Sequence, residues 1–424
     1  MKVLDQQPDG PPTARAPRRT GLLLAVCACH LVHDGLADVL YVLLPVWQTA
    51  FDLSRSQLGL LITLYFIALA VLQLPIGILA ERTGERSLLI GGTAVAGLGF
   101  LVMGLTGSPA MLAVTLVVAG LGSSVQHPLG SALVARAYGP NQRRIAIGTY
   151  NFSGDVGKML FPVLCGLALA GFAWQSITTV LGVLTLVSAL AFLVVLRRMQ
   201  IGGAPSPVEP DPDPDPDPDP DPDPDPDPDP DPDPDRPSGI HDRRRFTVLS
   251  IIAVFDTIAR YGLLTLLPFL LIEQGVSESG VGLALGLLFA GGALGKLLCG
   301  VAAQRLGVLP TAVITECCTA CGIMALLVIP QQFTLVLLPL IGAALNGTSS
   351  VLYGSVADYV APQQQARGFG IFYTVVIASG AVSPVACGVL SDLASLDTAL
   401  VVVAAIALLA IPLSLLLKPD QPPA

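Results

Sequence analysis

Long apolar stretches separated by short polar segments run along most of the chain. Twelve stretches, six on each side of a central Asp-Pro tract, lie near 21–48, 57–80, 87–107, 109–135, 145–170 and 173–196, and near 246–272, 278–303, 309–329, 332–357, 368–391 and 396–417. A helix needs about 20 apolar residues to cross the hydrocarbon core of a bilayer. The pattern therefore predicts an all-α membrane protein with twelve transmembrane helices.

The second six stretches repeat the first six in register. Offsets of 222 and 223 residues place like residues on one another: Pro45 on Pro268, Gly77 on Gly300, Arg82 on Arg305, Gly84 on Gly307, and Pro162 on Pro384. Internal repeats are typical of membrane transporters. We therefore expect two six-helix bundles that enter the membrane in the same orientation.

The central tract, 211–235, alternates Asp with Pro without interruption. Proline removes backbone donors and the Asp side chains repel one another, so neither a helix nor a packed core is expected. We interpret the tract as a solvated spacer, with a regulatory or cation-binding role as the alternative. The predicted organisation is a cytoplasmic N-terminal tail (1–20), a six-helix bundle (21–198), a disordered cytoplasmic linker (199–244), a second six-helix bundle (245–418) and a cytoplasmic C-terminal tail (419–424).

Composition narrows the function. The chain is 53% hydrophobic and 12% charged, with a mean hydropathy of +0.71, whereas soluble proteins are about 25% charged. A soluble enzyme and a nucleic-acid-binding protein are therefore excluded. The 13 Asp of the central tract carry more negative charge than the net charge of −9 of the whole chain. The acidity therefore belongs to the linker and gives no information about the partners of the bundles. The eight cysteines fall inside apolar stretches, and we expect free thiols.

The distribution of Lys and Arg predicts the orientation, because basic loops stay on the cytoplasmic side. With the N-terminus inside, 18 of the 22 Lys and Arg residues are cytoplasmic and only Arg55 faces outward. The proline-containing first twenty residues have no apolar core, so we expect no signal peptide. Both termini are thus predicted to be cytoplasmic. Abundant Arg, Ala and Gly with little Lys favour a bacterial source and hence the inner membrane.

The loop between the second and third stretches carries a motif. Its sequence, Gly77-Ile-Leu-Ala-Glu81-Arg82-Thr-Gly84-Glu-Arg86, resembles the Gly-x-x-x-Asp-Arg-x-Gly-x-Arg loop of the major facilitator superfamily. The resemblance implies a fold of two six-helix bundles that transports by alternating access. It also implies a gating role for this loop, and a similar contact at Asp358 and Arg367. The predicted gating residues are Gly77, Glu81, Arg82, Gly84, Arg86, Asp358 and Arg367.

Within the superfamily, three short motifs resemble the fosmidomycin-resistance-like transporters. They are His30-Leu-Val-His33-Asp34-Gly35, Leu72-Gln73-Leu-Pro75-Ile-Gly77 and Gly120-Leu-Gly122-Ser-Ser-Val-Gln126-His127-Pro128. This resemblance implies export of the substrate with entry of protons.

Ionisable groups inside an apolar stretch indicate function, because their burial in lipid is costly. His30, Asp34 and Asp38 are spaced by four residues and share one helix face. His127 reaches a similar depth from the fourth stretch. Since histidine titrates near neutrality beside a carboxylate, we predict proton coupling by His30, Asp34, His127 and Asp155. The alternative is a hydrogen-bonded packing network that does not titrate.

The remaining intramembrane charges predict a substrate site. Asp155 and Lys158 are three residues apart and are expected to form an ion pair. Lys158, Arg260 and Lys296 would make a positive cavity for an anion such as a phosphonate, phosphate ester or carboxylate. Alternatively, Asp256 and Glu316 neutralise these cations. The predicted substrate-binding residues are Asp38, Asn151, Lys158, Asp256, Arg260 and Lys296.

Other chemistries have no support in the sequence. Cys317 and Cys321 share a helix face with no histidine beside them, so we expect packing and no metal site. No phosphate-binding loop or nucleophile elbow is present, so no enzyme, catalytic residue or cofactor is predicted. We expect a monomeric, proton-coupled secondary transporter that exports a small anionic organic molecule or drug. The alternatives are an organic-anion/proton uptake symporter and a membrane receptor or sensor that does not transport.

Overall fold

The structure is a computed structural model that describes residues 15–138, 140–202, 240, 242–360 and 365–414. The helices are α1 (Arg15–Phe51), α2 (Arg55–Thr83), α3 (Glu85–Met103), α4 (Pro109–Ser123), α5 (Gln126–Ala137), α6 (Pro140–Leu169), α7 (Trp174–Met199), α8 (Arg243–Glu273), α9 (Glu278–Leu306), α10 (Val308–Leu326), α11 (Gln331–Gly354), α12 (Gln365–Leu393) and α13 (Leu396–Ser414). Twelve segments of the described residues are long and apolar enough to cross a membrane. The predicted twelve-span, all-α fold is confirmed.

The fourth span differs from its prediction as one continuous helix. It is divided into α4 and α5 by a turn at Ser124 and Val125. Pro128 explains the break, because its ring nitrogen cannot donate to the carbonyl of Ser124 and would clash with it. The break places His127 in the first turn of α5.

The helices form two bundles, α1–α7 and α8–α13. Inside the first bundle α1 packs on α6 and α3 packs on α7; inside the second, α8 packs on α13 and α9 on α11. The bundles meet along two seams, α2 with α12 and α6 with α9. Glycines allow these close approaches: a Cβ on Gly59 would strike the Pro384 carbonyl, and one on Gly282 would strike the Pro162 carbonyl.

The repeat is visible in the backbone of matching turns. Gly84, between α2 and α3, has φ 79°, and Gly307, between α9 and α10, has φ 93°. Both values favour glycine, because a Cβ is strained there. The described residues leave out most of the predicted linker (203–239 and 241) and the first part of the predicted N-terminal tail (1–14). They also leave out the end of the predicted second bundle (415–418) and the predicted C-terminal tail (419–424). The helices α1 and α8 begin within the segments predicted as tail and linker.

One end of the molecule is closed where α1 joins α2. The Arg55 side chain pairs with Glu273 of the other bundle and donates to Ser391 over 3.3 Å. The Asp392 carboxylate accepts from the backbone N–H groups of Arg55 and Ser56, at 3.1 and 2.8 Å. It therefore caps the start of α2 from the opposite bundle. Sequence reasoning assigned no role to these residues.

Candidate functional site

A cavity of about 630 Å³ lies between the two bundles. Sites for small organic molecules commonly have volumes of about 300–1,000 Å³. Both bundles contribute to its wall. Predicted site residues on the wall are Asp34, Asp38, His127, Asn151, Lys158 and Arg260.

Asp34 is the centre of a charged cluster on the N-terminal side of this cavity. Its Oδ1 lies 3.3 Å from His30 Nε2 and 3.6 Å from His127 Nε2, while its Oδ2 lies 3.3 Å from Lys158 Nζ. The rings of His30 and His127 meet edge to face at 5.2 Å. Because one carboxylate faces three basic groups, its charge is compensated although only 8% of its side chain is exposed. The structure thus brings three of the predicted proton-coupling residues together.

Glycines in α6 make this cluster possible. A Cβ on Gly154 would lie 2.6 Å from Asp34 Oδ2 and 2.7 Å from His30 Cε1, and a Cβ on Gly157 would strike the Leu31 carbonyl oxygen. Only a residue without a side chain lets α6 approach α1 this closely. The backbone of α6 therefore forms one wall of the ionisable cluster.

His30 is held between two acceptors. Its Nδ1 donates to the Tyr150 carbonyl oxygen over 2.8 Å, and its Nε2 faces Asp34 Oδ1 at 3.3 Å. A neutral imidazole carries one N–H, so it can donate to only one of these oxygens. A proton held between His30 and Asp34, on either the ring or the carboxyl group, satisfies both. The Tyr150 ring stacks on His30 at 4.1 Å and fixes its orientation.

The predicted ion pair between Asp155 and Lys158 is not formed and is corrected by the structure. Lys158 reaches Asp34 on α1. Asp155 instead accepts two hydrogen bonds from Lys296 Nζ of the other bundle, at 2.6 and 2.8 Å. Both side chains sit on α6, but they point to different neighbours, α1 and α9. Lys296 is therefore neutralised at a seam between the bundles and does not appear on the cavity wall.

Arg260 brings a second cation to the cavity, from α8. Its Nη1 donates to Ser349 Oγ over 3.2 Å, and its guanidinium lies 5.5 Å from the centre of the Tyr261 ring. Asp256 lies one turn earlier and is 2% exposed. The structure places Asp256 behind Arg260, away from the cavity wall, although the sequence assigned it to substrate binding.

The predicted gating loop is described only in part. Arg82 is exposed, and the backbone N–H of Arg86 donates to the Gly202 carbonyl over 2.9 Å. Glu85, which had no predicted role, pairs with Arg136 of α5. The side chains of Glu81, Asp358 and Arg367 lie outside the described part of the structure, so their gating role stays a prediction. At Gly77, no neighbouring heavy atom lies within 4 Å of the position that an added Cβ would occupy.

Among the described residues, one group has the ligand atoms of a metal site. The candidate atoms of His30, Asp34 and His127 all lie within 4.8 Å of one another. The Lys158 ammonium already supplies a cation to Asp34, and a metal ion would be repelled by it. All eight cysteines are free, as expected. The charge of Lys158 therefore argues against a metal ion at this cluster.

Sequence reasoning missed several neutral residues that shape the site. Tyr150 supplies the carbonyl and the ring that hold His30, and its hydroxyl donates to the Gln126 carbonyl over 3.1 Å. Thr93 binds His33, with its Oγ1 3.0 Å from His33 Nε2. Polar uncharged residues inside an apolar stretch were the available signal, but such residues also pack between helices without further function.

Comparisons with known proteins agree with this architecture. The sequence profile of the Major Facilitator Superfamily matches residues 26–240 and 249–424. The chain is 26% identical to the fosmidomycin resistance protein of Escherichia coli (strain K12) over 41% of this chain and 44% of that protein. It is 26% identical to the 3-(3-hydroxy-phenyl)propionate transporter of the same organism over 76% of this chain and 74% of that protein. The chain thus spans less than half the length of the first of these relatives.

A solved structure supports the same fold. A bacterial homologue of the human lysosomal transporter Spinster, in an inward-facing and unoccupied conformation, superposes with a TM-score of 0.75. The superposition covers 95% of this chain and 97% of that chain at 17% identity. At this identity the likeness concerns the fold alone.

Proposed function

The chain belongs to the Major Facilitator Superfamily, a family of integral membrane transporters, and on this basis we propose that it is a proton-coupled secondary transporter. Its cargo is a small anionic organic molecule or drug, and the direction is export. It works by alternating access as a monomer in a bacterial inner membrane, with both termini cytoplasmic.

The observation that carries the proton coupling is the position of His30 between two acceptors. The Tyr150 carbonyl and the Asp34 carboxyl group both face ring nitrogens of His30. A site that needs one proton to satisfy its buried polar atoms, and that borders a cavity, can release this proton when the surroundings change. His127 lies on the same carboxylate and is 48% exposed, so it connects the cluster with cavity water.

The anionic cargo is supported by the two cations of the cavity wall. Lys158 and Arg260 both line the cavity, from opposite bundles. An anion that binds Lys158 competes with Asp34 for the ammonium group. The Asp34 carboxylate then loses its permanent counter-charge and depends on His30, His127 or a proton. Binding of cargo and occupancy by protons are thereby linked at one carboxylate.

Alternating access is supported by the asymmetry of the inter-bundle contacts. The bundles close around Arg55, Glu273 and Asp392 at one end, with the cavity on the other side of these contacts. The predicted orientation makes that end the outer one. The described conformation is therefore inward-facing in this proposal. Movement to the outward-facing state requires the Arg55 contacts to separate.

Two relatives favour different directions. The word resistance in the name of the fosmidomycin resistance protein favours export. The 3-(3-hydroxy-phenyl)propionate transporter matches a larger share of the chain, and its named cargo is a carboxylate. An organic-anion/proton symporter is therefore the second candidate function.

Flux in proteoliposomes tests the proposal. The full chain is reconstituted, a pH gradient is imposed, and movement of fosmidomycin, 3-(3-hydroxyphenyl)propionate and a set of organic cations is measured. We expect gradient-driven flux of at least one anion, lost in Asp34→Asn and retained in Glu278→Gln, a control that removes an exposed carboxylate at the start of α9.

Each other outcome has a meaning. Flux of cations alone contradicts the anionic cargo, and flux without dependence on pH contradicts proton coupling. Anion movement down the proton gradient identifies the symporter instead of the exporter. Binding without flux for a folded protein identifies a receptor.

A further inference from the structure

Two carboxyl groups meet inside the C-terminal bundle, away from the cavity wall. Asp256 lies on α8 and Glu316 on α10, and each residue is 2% exposed. Their side chains are within hydrogen-bonding reach of one another. Among the residues that the structure describes, no N–H or O–H group donates to Asp256 Oδ2 or Glu316 Oε1.

A contact between two carboxyl groups requires a proton. Two ionised carboxylates offer acceptors only and repel each other, whereas one carboxylic acid can donate to one carboxylate. Burial increases this requirement, because an uncompensated charge is costly away from water. The Asp256–Glu316 pair therefore holds at least one proton in the described conformation.

The internal repeat places a matching contact in the N-terminal bundle. The offset of 223 residues that relates the bundles places Asp256 on His33 and Glu316 on Thr93. His33 and Thr93 contact each other in the N-terminal bundle, with Nε2 and Oγ1 separated by 3.0 Å. The same pair of helix positions thus meets in both bundles, and only the side chains differ.

Arg260 connects the carboxyl pair with the cavity. It lies one turn after Asp256, lines the cavity, and has a buried Nε without a partner among the described residues. Three other groups act on this unit: Asp38 of α1 and the Tyr353 hydroxyl of α11 on Arg260, and the Thr348 hydroxyl of α11 on Glu316. In α12 and α13 the described acidic residues, Asp392 and Asp397, lie at the distant helix ends.

We propose that Asp256 and Glu316 form a second proton-binding site, and that its proton occupancy controls whether Arg260 is free to bind an anionic cargo. The inference rests on the proposed function for its cargo, but the proton site stands without it. No residue of the N-terminal cluster takes part.

The charge balance gives the sign of the coupling. With one shared proton the pair has a charge of −1, which neutralises the +1 of Arg260. A second proton, taken from cavity water, makes both carboxyl groups neutral and removes their compensation of the Arg260 charge. An anion then restores neutrality at the cavity wall. Proton and anion consequently bind together at this half of the protein. This is the sign that symport requires, so the coupling favours the second candidate function, the organic-anion/proton symporter, over proton-driven export.

The resting proton is tested by infrared spectroscopy on the full chain in nanodiscs. At neutral pH we expect the carbonyl-stretch absorption of a protonated carboxylic acid, which is weaker in Glu316→Gln and unchanged in the Glu278→Gln control. If the spectra of Asp256→Asn and Glu316→Gln both keep the absorption of the unsubstituted protein, the shared proton does not exist and the inference fails. This measurement needs neither cargo nor transport.

The coupling is tested by binding of fosmidomycin at several pH values. The double variant Asp256→Asn/Glu316→Gln has the charge of the doubly protonated pair, so Arg260 is free at every pH. We expect tighter binding than in the unsubstituted protein at neutral pH. We also expect fosmidomycin binding to be linked to one proton fewer, which removes a change in affinity of about tenfold per pH unit. An unchanged pH dependence in a double variant that unfolds at the same temperature overturns the proposed control.

The two proposals fail separately. Weakening of the infrared absorption in Glu316→Gln without flux in any variant removes the transport function and leaves the proton site. Gradient-driven flux with an infrared spectrum that the substitutions leave unaltered removes the proton site and leaves the transport function. If fosmidomycin does not bind the unsubstituted protein, the infrared result alone decides.

Discussion

The N-terminal and C-terminal bundles use the same pair of positions in different ways. Thr93 Oγ1 donates to the Leu89 carbonyl over 2.7 Å, so it accepts from His33 Nε2, and a neutral imidazole satisfies this contact. The matching contact between Asp256 and Glu316 joins two acids and needs an additional proton. One repeat therefore tolerates a fixed protonation state, whereas the other depends on a bound proton.

The charges facing the cavity show a complementary difference. In the N-terminal bundle one acid, Asp34, is surrounded by His30, His127 and Lys158. In the C-terminal bundle one base, Arg260, is backed by two acids. In the N-terminal bundle the proton is held at one acid that is surrounded by several bases. In the C-terminal bundle it is held by two acids beside one base. Gene duplication can thus preserve a fold while the two halves acquire opposite acid–base chemistry.

The largest expected effect comes from Asp34→Asn, which breaks the N-terminal cluster. Removal of the carboxylate leaves Lys158 and two imidazoles without their shared counter-charge, and losing one partner of a buried pair costs about 3–5 kcal/mol. The one-third exposure of the Lys158 side chain places the effect at the low end. We expect loss of proton-driven flux and a lower unfolding temperature.

A double variant separates charge from packing. In Asp34→Asn/Lys158→Met the unpaired ammonium is absent, so stability should return while flux stays lost. Recovery of flux in this variant would contradict the role of Asp34 in coupling.

Gly154→Ala is expected to have the next largest effect, because its methyl group would lie 2.6 Å from Asp34 Oδ2. Overpacking of this kind costs about 1–3 kcal/mol. The matched control is Gly148→Ala on the same helix, where nothing lies within 4 Å of the added Cβ. Thermal unfolding should separate the two: Gly154→Ala lowers stability, while Gly148→Ala leaves it unchanged or raises it by up to about 1 kcal/mol. Equal stabilities would show that α6 does not approach α1 as described.

Lys296→Gln tests the contact that joins the bundles. It removes two charge-assisted hydrogen bonds to Asp155. A hydrogen bond to a charged group contributes about 1.5–3 kcal/mol to stability. We expect a shift of about 2 kcal/mol away from the described conformation, measured by labelling of a cysteine introduced on the α6–α9 seam. Asp155→Asn/Lys296→Gln should restore the distribution if the effect is electrostatic. No change in labelling would mean that the pair is formed equally in all states.

The smallest effect is expected for Thr93→Val, which removes the neutral contact of the N-terminal bundle. Loss of one hydrogen bond costs about 1 kcal/mol, and His33 stays close to cavity water because it lines the cavity. Because the N-terminal contact needs no additional proton, we expect fosmidomycin binding to keep its dependence on pH in Thr93→Val. A pH dependence altered as strongly as in the Asp256/Glu316 double variant would remove the distinction between the two bundles.

Much of the site was predictable at the level of helix positions. The spacing of His30 and Asp34 and the depth of His127 correctly indicated that the three would meet. The choice of partner for Lys158 was not predictable, because residues three apart on a helix can each reach a different neighbour. The same applies to Asp155, whose partner lies 141 positions away in the other bundle. Tyr150 contributes through a backbone carbonyl, and every residue has one.

Hydrophobic periodicity by itself determined the twelve membrane-spanning helices, since each stretch must bury its backbone hydrogen bonds within a helix to cross lipid. The repeat offset also determined which helices correspond. Tertiary structure decided which charges neutralise each other, where the fourth span breaks, and which end is closed. Those features depend on distances of a few ångströms between residues far apart in the chain, and glycines such as Gly154 set these distances only once two helices have packed.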